Sequence, residues 1–325
     1  YFMQFAGASI LAPMQTDLSD FGVRFDIWFS EKSLYVADDV PKTMAFLKER
    51  DYAFEQDGAL WFKTTGFTDE KDRVLIRSNG VPTYFASDIT YHKNKFDRGF
   101  SRVIDIWGAD HHGYVPRMKA AVEALGRDPD DLSVLLIQFV NLLRDGTPVA
   151  MSTRSGEFVT LREVLDEVGV DATRYFFVMR RSDSHLDFDL ELAKQQSNEN
   201  PVYYIQYAHA RIRSVLRETE ARGVVLPVVE SLLDYEFASE EEKRLIATLD
   251  EFPKEVEKAS RELAPHVIAS YAYSLAGAFH SFYNAHRILG EEEATMKSRL
   301  LLVRATGIVL GSALGLLGIA APERM

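Results

Sequence analysis

The chain contains no cysteine, which excludes a disulfide framework and any thiolate metal site and fits a reducing compartment. Basic residues are also in short supply: 37 Lys and Arg stand against 49 Asp and Glu, a formal charge of −12. As a total, this argues against a nucleic-acid partner. Contact with a phosphate backbone depends on a local basic face rather than on the sum, and Arg174, Arg180, Arg181, Lys194, Arg211, Arg213 and Arg217 crowd one region, away from acidic runs such as Glu291–Glu293. Charge alone leaves ordinary solvated helix faces equally open. The opening YFMQFAGASILAPMQ has no cationic segment and no small-residue cleavage site, so no secretory signal is expected there. One long uncharged run exists, Ala305–Pro322, with Gly307, Gly311 and Gly315 at small-xxx-small spacing. Its four glycines, Ser312 and its place at the end of the chain suit the tightly packed central helix of a bundle better than a membrane span, and no membrane is expected as a partner.

What is present is ample material for cores: 325 residues at 46% hydrophobic content, a length that suggests two domains. The first half alternates strand and helix patterns. A short apolar piece over residues 1–12 leads through 11–23 to Phe25–Phe29, a buried-strand pattern, and Pro41 opens a helix over Lys42–Arg50. Strands are predicted at Ala59–Phe62 and Arg73–Arg77, with Asn79-Gly80 as the turn, then a helical stretch from Ser87 to about Lys95. Val103–Trp107 is an apolar run ending in Gly108, the mark of a buried parallel strand, and a helix over Val115–Leu125 with a strand over Val134–Val140 completes a β–α–β unit. Such alternation predicts an α/β doubly wound sheet. After Gly169 no strand pattern is seen. Asp171–Arg180, Asn198–Glu220, Ser239–Lys258, Ala264–Leu289 and Ala294–Ile319 all read as helices, a bundle of about five. The boundary falls near 183–196, giving domains over 1–183 and 184–325.

Four stretches could carry chemistry. Met151-Ser152-Thr153-Arg154-Ser155-Gly156 is a small polar loop between the Asp145-Gly146 turn and Thr160, an N-cap with Glu163 three residues on. Its hydroxyls, amides and one guanidinium suit a phosphate. Gly108-Ala109-Asp110-His111-His112-Gly113 sits at a strand end, where ligands of open parallel sheets bind. The adjacent histidines diverge and no third spaced ligand accompanies them, so no metal site is expected; a hydrogen-bonded helix start stays open. Tyr84 and Asp88, four apart on one helix, offer an aromatic plane beside a carboxylate, the needs of a guanidinium, or else a core tyrosine and a helix cap. Tyr203, Tyr204 and Tyr207 lie on one helix and Phe279, Phe282 and Tyr283 on another, aromatic surfaces on which unstacked bases could lie.

The polar loop resembles the second signature of class I aminoacyl-tRNA synthetases, with Ala150 and Thr153 where the family often has lysines and Arg154 as the fixed cation of the loop. GADHHGYVPRMKAAVEALG, GEFVTLREVLDEVGVDATRYFF and SNENPVYYIQYAHARIRSV resemble arginyl-tRNA synthetase in particular, and Asp171-Ala172-Thr173-Arg174 resembles the word that names its anticodon-binding domain. The resemblance implies a partial Rossmann-type catalytic domain followed by an all-α anticodon-binding bundle. It implies that Gly108, Asp110, His112 and Met151 face ATP, that Met151, Ser152, Thr153 and Arg154 serve catalysis, that Tyr84, Asp88 and His111 border arginine, and that Tyr207, Tyr283 and Met325 contact tRNA. Arg174 is expected to brace the junction between the domains. Arginine, ATP with Mg²⁺, and tRNA(Arg) are the implied substrates and partners, in the cytoplasm. The family's first signature, His-x-Gly-His, is not found in the 325 residues. The chain as given is therefore expected not to exchange pyrophosphate into ATP, and a non-catalytic fragment or paralogue that binds RNA or a protein remains the alternative.

Overall fold

The computed structural model describes residues 2–67, 69–149, 158–225, 235 and 237–325. The chain forms two compact units, one of residues 25–139 and the other of residues 1–24 together with 140–325. Helix α1 (Phe2–Asp20) opens the second of these, with Pro13 inside it. The sequence had shown only an apolar piece here, because no amphipathic stripe marks the helix.

The 25–139 unit begins with an irregular segment rather than the strand expected at Phe25–Phe29; Phe25, Ile27 and Trp28 are exposed rather than core residues. Helices α2 (Lys32–Val36) and α3 (Asp39–Glu49) follow. A three-stranded antiparallel sheet comes next, β1 (Ala53–Gln56), β2 (Ala59–Phe62) and β3 (Arg73–Ile76). The β1–β2 hairpin turns on Asp57 and Gly58, both at positive φ, 53° and 72°. Helix α4 (Tyr84–Asp97), strand β4 (Val103–Gly108), helix α5 (Val115–Ala124) and strand β5 (Leu132–Ile137) then form the expected β–α–β unit, with β4 and β5 parallel from Val103↔Leu132 to Gly108↔Ile137. Phe62, Leu75, Phe85, Ile89, Met118 and Leu132 belong to its core. One expectation fails in detail. Strand β4 is covered on one face only, with Val103 and Asp105 buried and Ile104 and Ile106 exposed, so its apolar run does not mark burial on both sides.

The remaining elements pack as one core. Strand β6 (Val140–Arg144) turns through Asp145-Gly146 into β7 (Thr147–Pro148), as the Asp-Gly signal required, with φ of 50° and 73°. Helices α6 (Leu161–Val168) and α7 (Val170–Val178) precede β8 (Leu186–Asp189), which pairs parallel to β6, and α8 (Leu190–Lys194). Strand β8 corrects the expectation of no strand after Gly169: its four residues, LDFD, are too few to show a period. Four long helices follow, α9 (Pro201–Ala221), α10 (Glu240–Glu262), α11 (Pro265–Ala285) and α12 (Glu293–Leu316). Leu142, Phe176, Phe188 and Leu190 share a hydrophobic cluster with Ile205, Ile212, Phe279 and Leu310. That shared cluster joins residues on both sides of 183 within one compact unit.

Helix α12 is long and apolar enough to cross a membrane, yet Leu300, Val303, Leu310 and Leu314 are buried in the bundle. Gly307 allows the close approach of α9, since a Cβ there would stand 2.8 Å from Ile212. Arg174 of α7 stays within this unit. Its guanidinium donates to the carbonyls of Phe21 (2.8 Å) and Leu317 (3.0 Å), tying the end of α1 to the C-terminus of α12.

Candidate functional site

Helix α4 starts where β3 turns back on itself. Thr83 is extended, and its hydroxyl donates to Val74 and Leu75 carbonyls (2.9 and 3.1 Å), which fixes the first turn of the helix against the sheet. Phe85, Ala86, Ile89 and Phe96 face the core. Asp88 instead lines a cavity of about 400 Å³. Phe25, Trp28, Phe29, Tyr91 and Glu31 line it too. Phe29 and Tyr91 stack at 4.2 Å, and Phe25 meets Trp28 edge-on at 5.2 Å, so the apolar residues misread as a strand are cavity walls. Asp88 Oδ2 accepts from Tyr114 Oη at 2.6 Å. Burial pushes the Asp88 pKa above the usual carboxylate range, against the opposing pull of Tyr114 and His92.

Beneath Asp88 lies a polar network that no motif announced. The His92 ring lies between the Asp88 carbonyl, 2.8 Å from Nδ1, and Asp105 Oδ2, 2.8 Å from Nε2, while Lys95 Nζ donates to Asp105 Oδ1 at 2.8 Å. Burial alone would raise the Asp105 pKa; His92 and Lys95 outweigh it and hold the carboxyl below its ordinary value. Helix α4 is thereby pinned to β4 by charge as well as by packing.

At the end of β4 the chain enters a 3-10 turn, Ala109–Tyr114. Gly108 is extended (φ −63°, ψ 147°), and a Cβ there would meet only Asp110 Oδ1, at 2.6 Å, the tip of an exposed side chain that can swing aside. Asp110, His111 and His112 are exposed; His111 Nε2 stands 3.7 Å from Asp110 Oδ2, and His112 Nδ1 donates to the Ala109 carbonyl at 3.2 Å. Among the described residues no three His, Asp or Glu side chains gather to hold a metal ion. Tyr84 is 81% exposed, and neither it nor His111 is among the residues lining the Asp88 cavity. Met151, Ser152, Thr153 and Arg154 lie outside the described residues. Their downstream flank is described: Thr160 and Glu163 form the expected capping box, with the Glu163 amide 3.1 Å from Thr160 Oγ1 and the Thr160 amide 2.7 Å from Glu163 Oε2.

In the bundle, Arg211 lies between the rings of Tyr207 and Tyr283, 4.7 Å from each centroid, and donates to Tyr207 Oη at 3.0 Å. It also donates to His280 Nδ1 at 3.3 Å, so the His280 proton sits on Nε2, facing the Tyr204 carbonyl. Burial lowers the His280 pKa, in keeping with a neutral ring. Tyr203 stacks parallel to Tyr207 at 6.0 Å, whereas Phe279 and Phe282 are fully buried core residues. Met325 is brought to the Tyr203 side of α9, beside Gln206. The tail that carries it is held along α9, where His209 donates to the Pro322 carbonyl and Arg217 to the Glu323 carbonyl, both at 2.9 Å.

Residues 3–189 match the family described as tRNA synthetases class I (R), catalytic domain, and residues 205–325 the DALR anticodon binding domain. The chain belongs to the arginyl-tRNA synthetase family. It is 57% identical to the arginine–tRNA ligase of Desulforudis audaxviator over 324 residues, which are 99% of this chain and 58% of that protein. It is 58% identical to that of Carboxydothermus hydrogenoformans over 315 residues, 97% of this chain and 57% of that protein. The chain thus spans under three-fifths of the length of these curated relatives. Among solved structures, a putative arginyl-tRNA synthetase from Campylobacter jejuni superposes with a TM-score of 0.88 at 36% identity, covering 99% of this chain and 69% of that one. The arginyl-tRNA synthetase of Thermus thermophilus shares the fold, with a TM-score of 0.82 at 23% identity over 99% of this chain and 64% of that one. The family carries the expected architecture, a class I catalytic part followed by a helical anticodon-binding domain.

Proposed function

We propose that the chain supplies the arginine pocket, part of the ATP site and the anticodon-reading bundle of an arginine–tRNA ligase, with catalytic residues over 1–183 and tRNA-reading residues over 184–325. The observation that carries this reading is the Asp88 cavity, where two carboxylates, Asp88 and Glu31, share an aromatic-walled space. A guanidinium suits such a space: it presents its N–H groups to carboxylates in plane and its faces to rings. Lysine, a point charge on a flexible stem, would leave the planar surfaces unused.

Arginine held there would present its carboxylate to the α-phosphate of ATP, forming arginyl-adenylate with release of pyrophosphate, and a terminal ribose hydroxyl of tRNA(Arg) would then accept the arginyl group. Positioning and charge stabilisation dominate such chemistry. Gly108, Asp110 and His112 would border the nucleotide at the end of β4, with Met151, Ser152, Thr153 and Arg154 on its phosphates, His111 toward arginine and Tyr84 at the mouth of the pocket. The described residues offer no carboxylate cage for Mg²⁺, which would come bound to the ATP phosphates. Such a ligase works in the cytoplasm.

Calorimetric titration of the 325-residue chain with arginine, lysine and citrulline, and with an anticodon stem-loop of tRNA(Arg), tests the reading. Arginine and the stem-loop should bind, and lysine and citrulline should not. Stem-loop binding without arginine binding would leave a non-catalytic RNA-binding role.

For the bundle, bases would stack beside the Tyr207–Arg211–Tyr283 sandwich, with Met325 contributing from the tail. Tyr207→Ala and Tyr283→Ala should each weaken stem-loop binding by about 1–3 kcal/mol. Phe279→Ala, at a fully buried position, should instead destabilise the fold by about 3–5 kcal/mol. Unchanged RNA affinity in both tyrosine variants would move the anticodon surface elsewhere.

A further inference from the structure

We propose that Tyr114 is a positioning residue for Asp88, orienting its carboxylate for the guanidinium and keeping it ionised; this rests on the reading of the Asp88 cavity as the arginine pocket. Tyr114 ends the turn that follows β4 and is 26 residues from Asp88 in sequence. Its ring is fixed on three sides. Trp107 and Phe85 meet it edge-on, at 5.7 and 5.9 Å, and the Arg117 guanidinium lies over it at 4.6 Å from the centroid. The phenol is thus aimed before any ligand arrives.

A phenol carries one proton and an ionised carboxylate only accepts, so the 2.6 Å contact runs from Tyr114 Oη–H to Asp88 Oδ2. This fixes the rotation of the carboxylate. Oδ1 has no donor from the protein among the described residues, and it is the oxygen left for the substrate. The same bond acts on charge. The groups acting on Asp88 are Tyr114 from the turn before α5, His92 from α4 itself, Glu31 from the segment before α2, and Asp105 from β4. Burial, Glu31 and Asp105 favour the neutral acid, whereas Tyr114 and His92 favour the carboxylate. Removing the hydroxyl strips one of two opposing supports. Asp88 then takes up its proton at a higher pH, and arginine, which needs the carboxylate, is released earlier as pH falls.

Tyr114→Phe keeps the ring and its three contacts and removes only the oxygen. Measured on the 325-residue chain, arginine affinity should drop about 10- to 100-fold near pH 7.5, while ATP affinity stays the same. The preference for arginine over citrulline should shrink, and the pH midpoint of arginine binding should move upward. Replacing Tyr114 by 3,5-difluorotyrosine, which keeps the hydroxyl and makes it a stronger donor, should move that midpoint down. This pair of opposite shifts is one that a packing role would not produce, and it can be read on the folded protein even if Tyr114→Phe loses some stability. Asp88→Asn, run beside it, separates the two levels of inference. If Asp88→Asn leaves arginine binding intact, the pocket reading itself falls. If Asp88→Asn abolishes binding while both Tyr114 replacements leave affinity and midpoint unmoved, only the role of Tyr114 is overturned.

Discussion

Asp88→Asn is expected to weaken arginine binding by about 150- to 5,000-fold, the consequence of removing the charged partner of a desolvated guanidinium at about 3–5 kcal/mol. ATP binding should be nearly unaffected. The same substitution should leave the free chain as stable as before, or more so, at neutral pH. Burial raises the folded-state pKa of Asp88 above the unfolded value of about 3.9. For an acid with a raised pKa the folded state binds more protons than the unfolded one in the window between the two values, so stability falls with rising pH through that window. At pH 7 the ionised side chain is therefore a strain on the fold that the asparagine lacks, and the stabilisation should vanish below about pH 4. Thermal melts of both proteins across pH, with arginine titrations alongside, check the pair of effects. Equal losses for arginine and ATP, with a lowered melting temperature at pH 7, would make Asp88 a structural cap instead.

Much of the local structure was legible from short-range patterns. Tyr84 and Asp88 on one helix, the apolar strand ending at Gly108 and the Thr160–Glu163 capping box all follow from spacing within a few residues. What was not legible depends on approach between distant residues. Glu31 and Tyr114 meet Asp88 across 57 and 26 positions, and neither sits in a periodic pattern that singles it out. The segment Phe25–Phe29 misled for a physical reason: a cavity wall needs apolar residues as much as a strand does, and five residues cannot separate the two. Strand β1 did carry a signal, the Asp57-Gly58 turn, of the same kind that placed the β6–β7 hairpin. In the helical half the glycine spacing of α12 truly reported close packing, with Gly307 against Ile212 and Gly311 against His209.

Glu242→Ala is expected to cost as much stability as truncating a fully buried core aromatic. Glu242 is the third residue of α10, its side chain only 2% exposed, and it gathers contacts from three places. Its amide is capped by Ser239 Oγ at 3.1 Å, Tyr235 donates to Oε1 at 3.0 Å, and Arg299 of α12 donates to Oε1 at 2.9 Å. Burial pushes its pKa up, but Arg299 and Tyr235 outweigh burial and hold it below the ordinary value. A lowered carboxyl pKa contributes stability that is complete above the unfolded value of about 4.3 and lost as pH falls through the folded one. Truncating the carboxylate leaves the Arg299 guanidinium, itself 14% exposed, without its counter-charge, and should destabilise the bundle by about 3–5 kcal/mol at pH 7. Most of that loss is the uncompensated cation rather than the worth of the pair. The double variant Glu242→Leu with Arg299→Met should therefore recover most of the stability, and its denaturation midpoint should fall less steeply in acid than that of the parent chain, by the share that Glu242 contributes. Urea unfolding of the single and double variants decides it: a Glu242→Ala loss under about 1 kcal/mol would mean that water reaches and solvates Arg299, and that helices α10 and α12 are joined by packing alone.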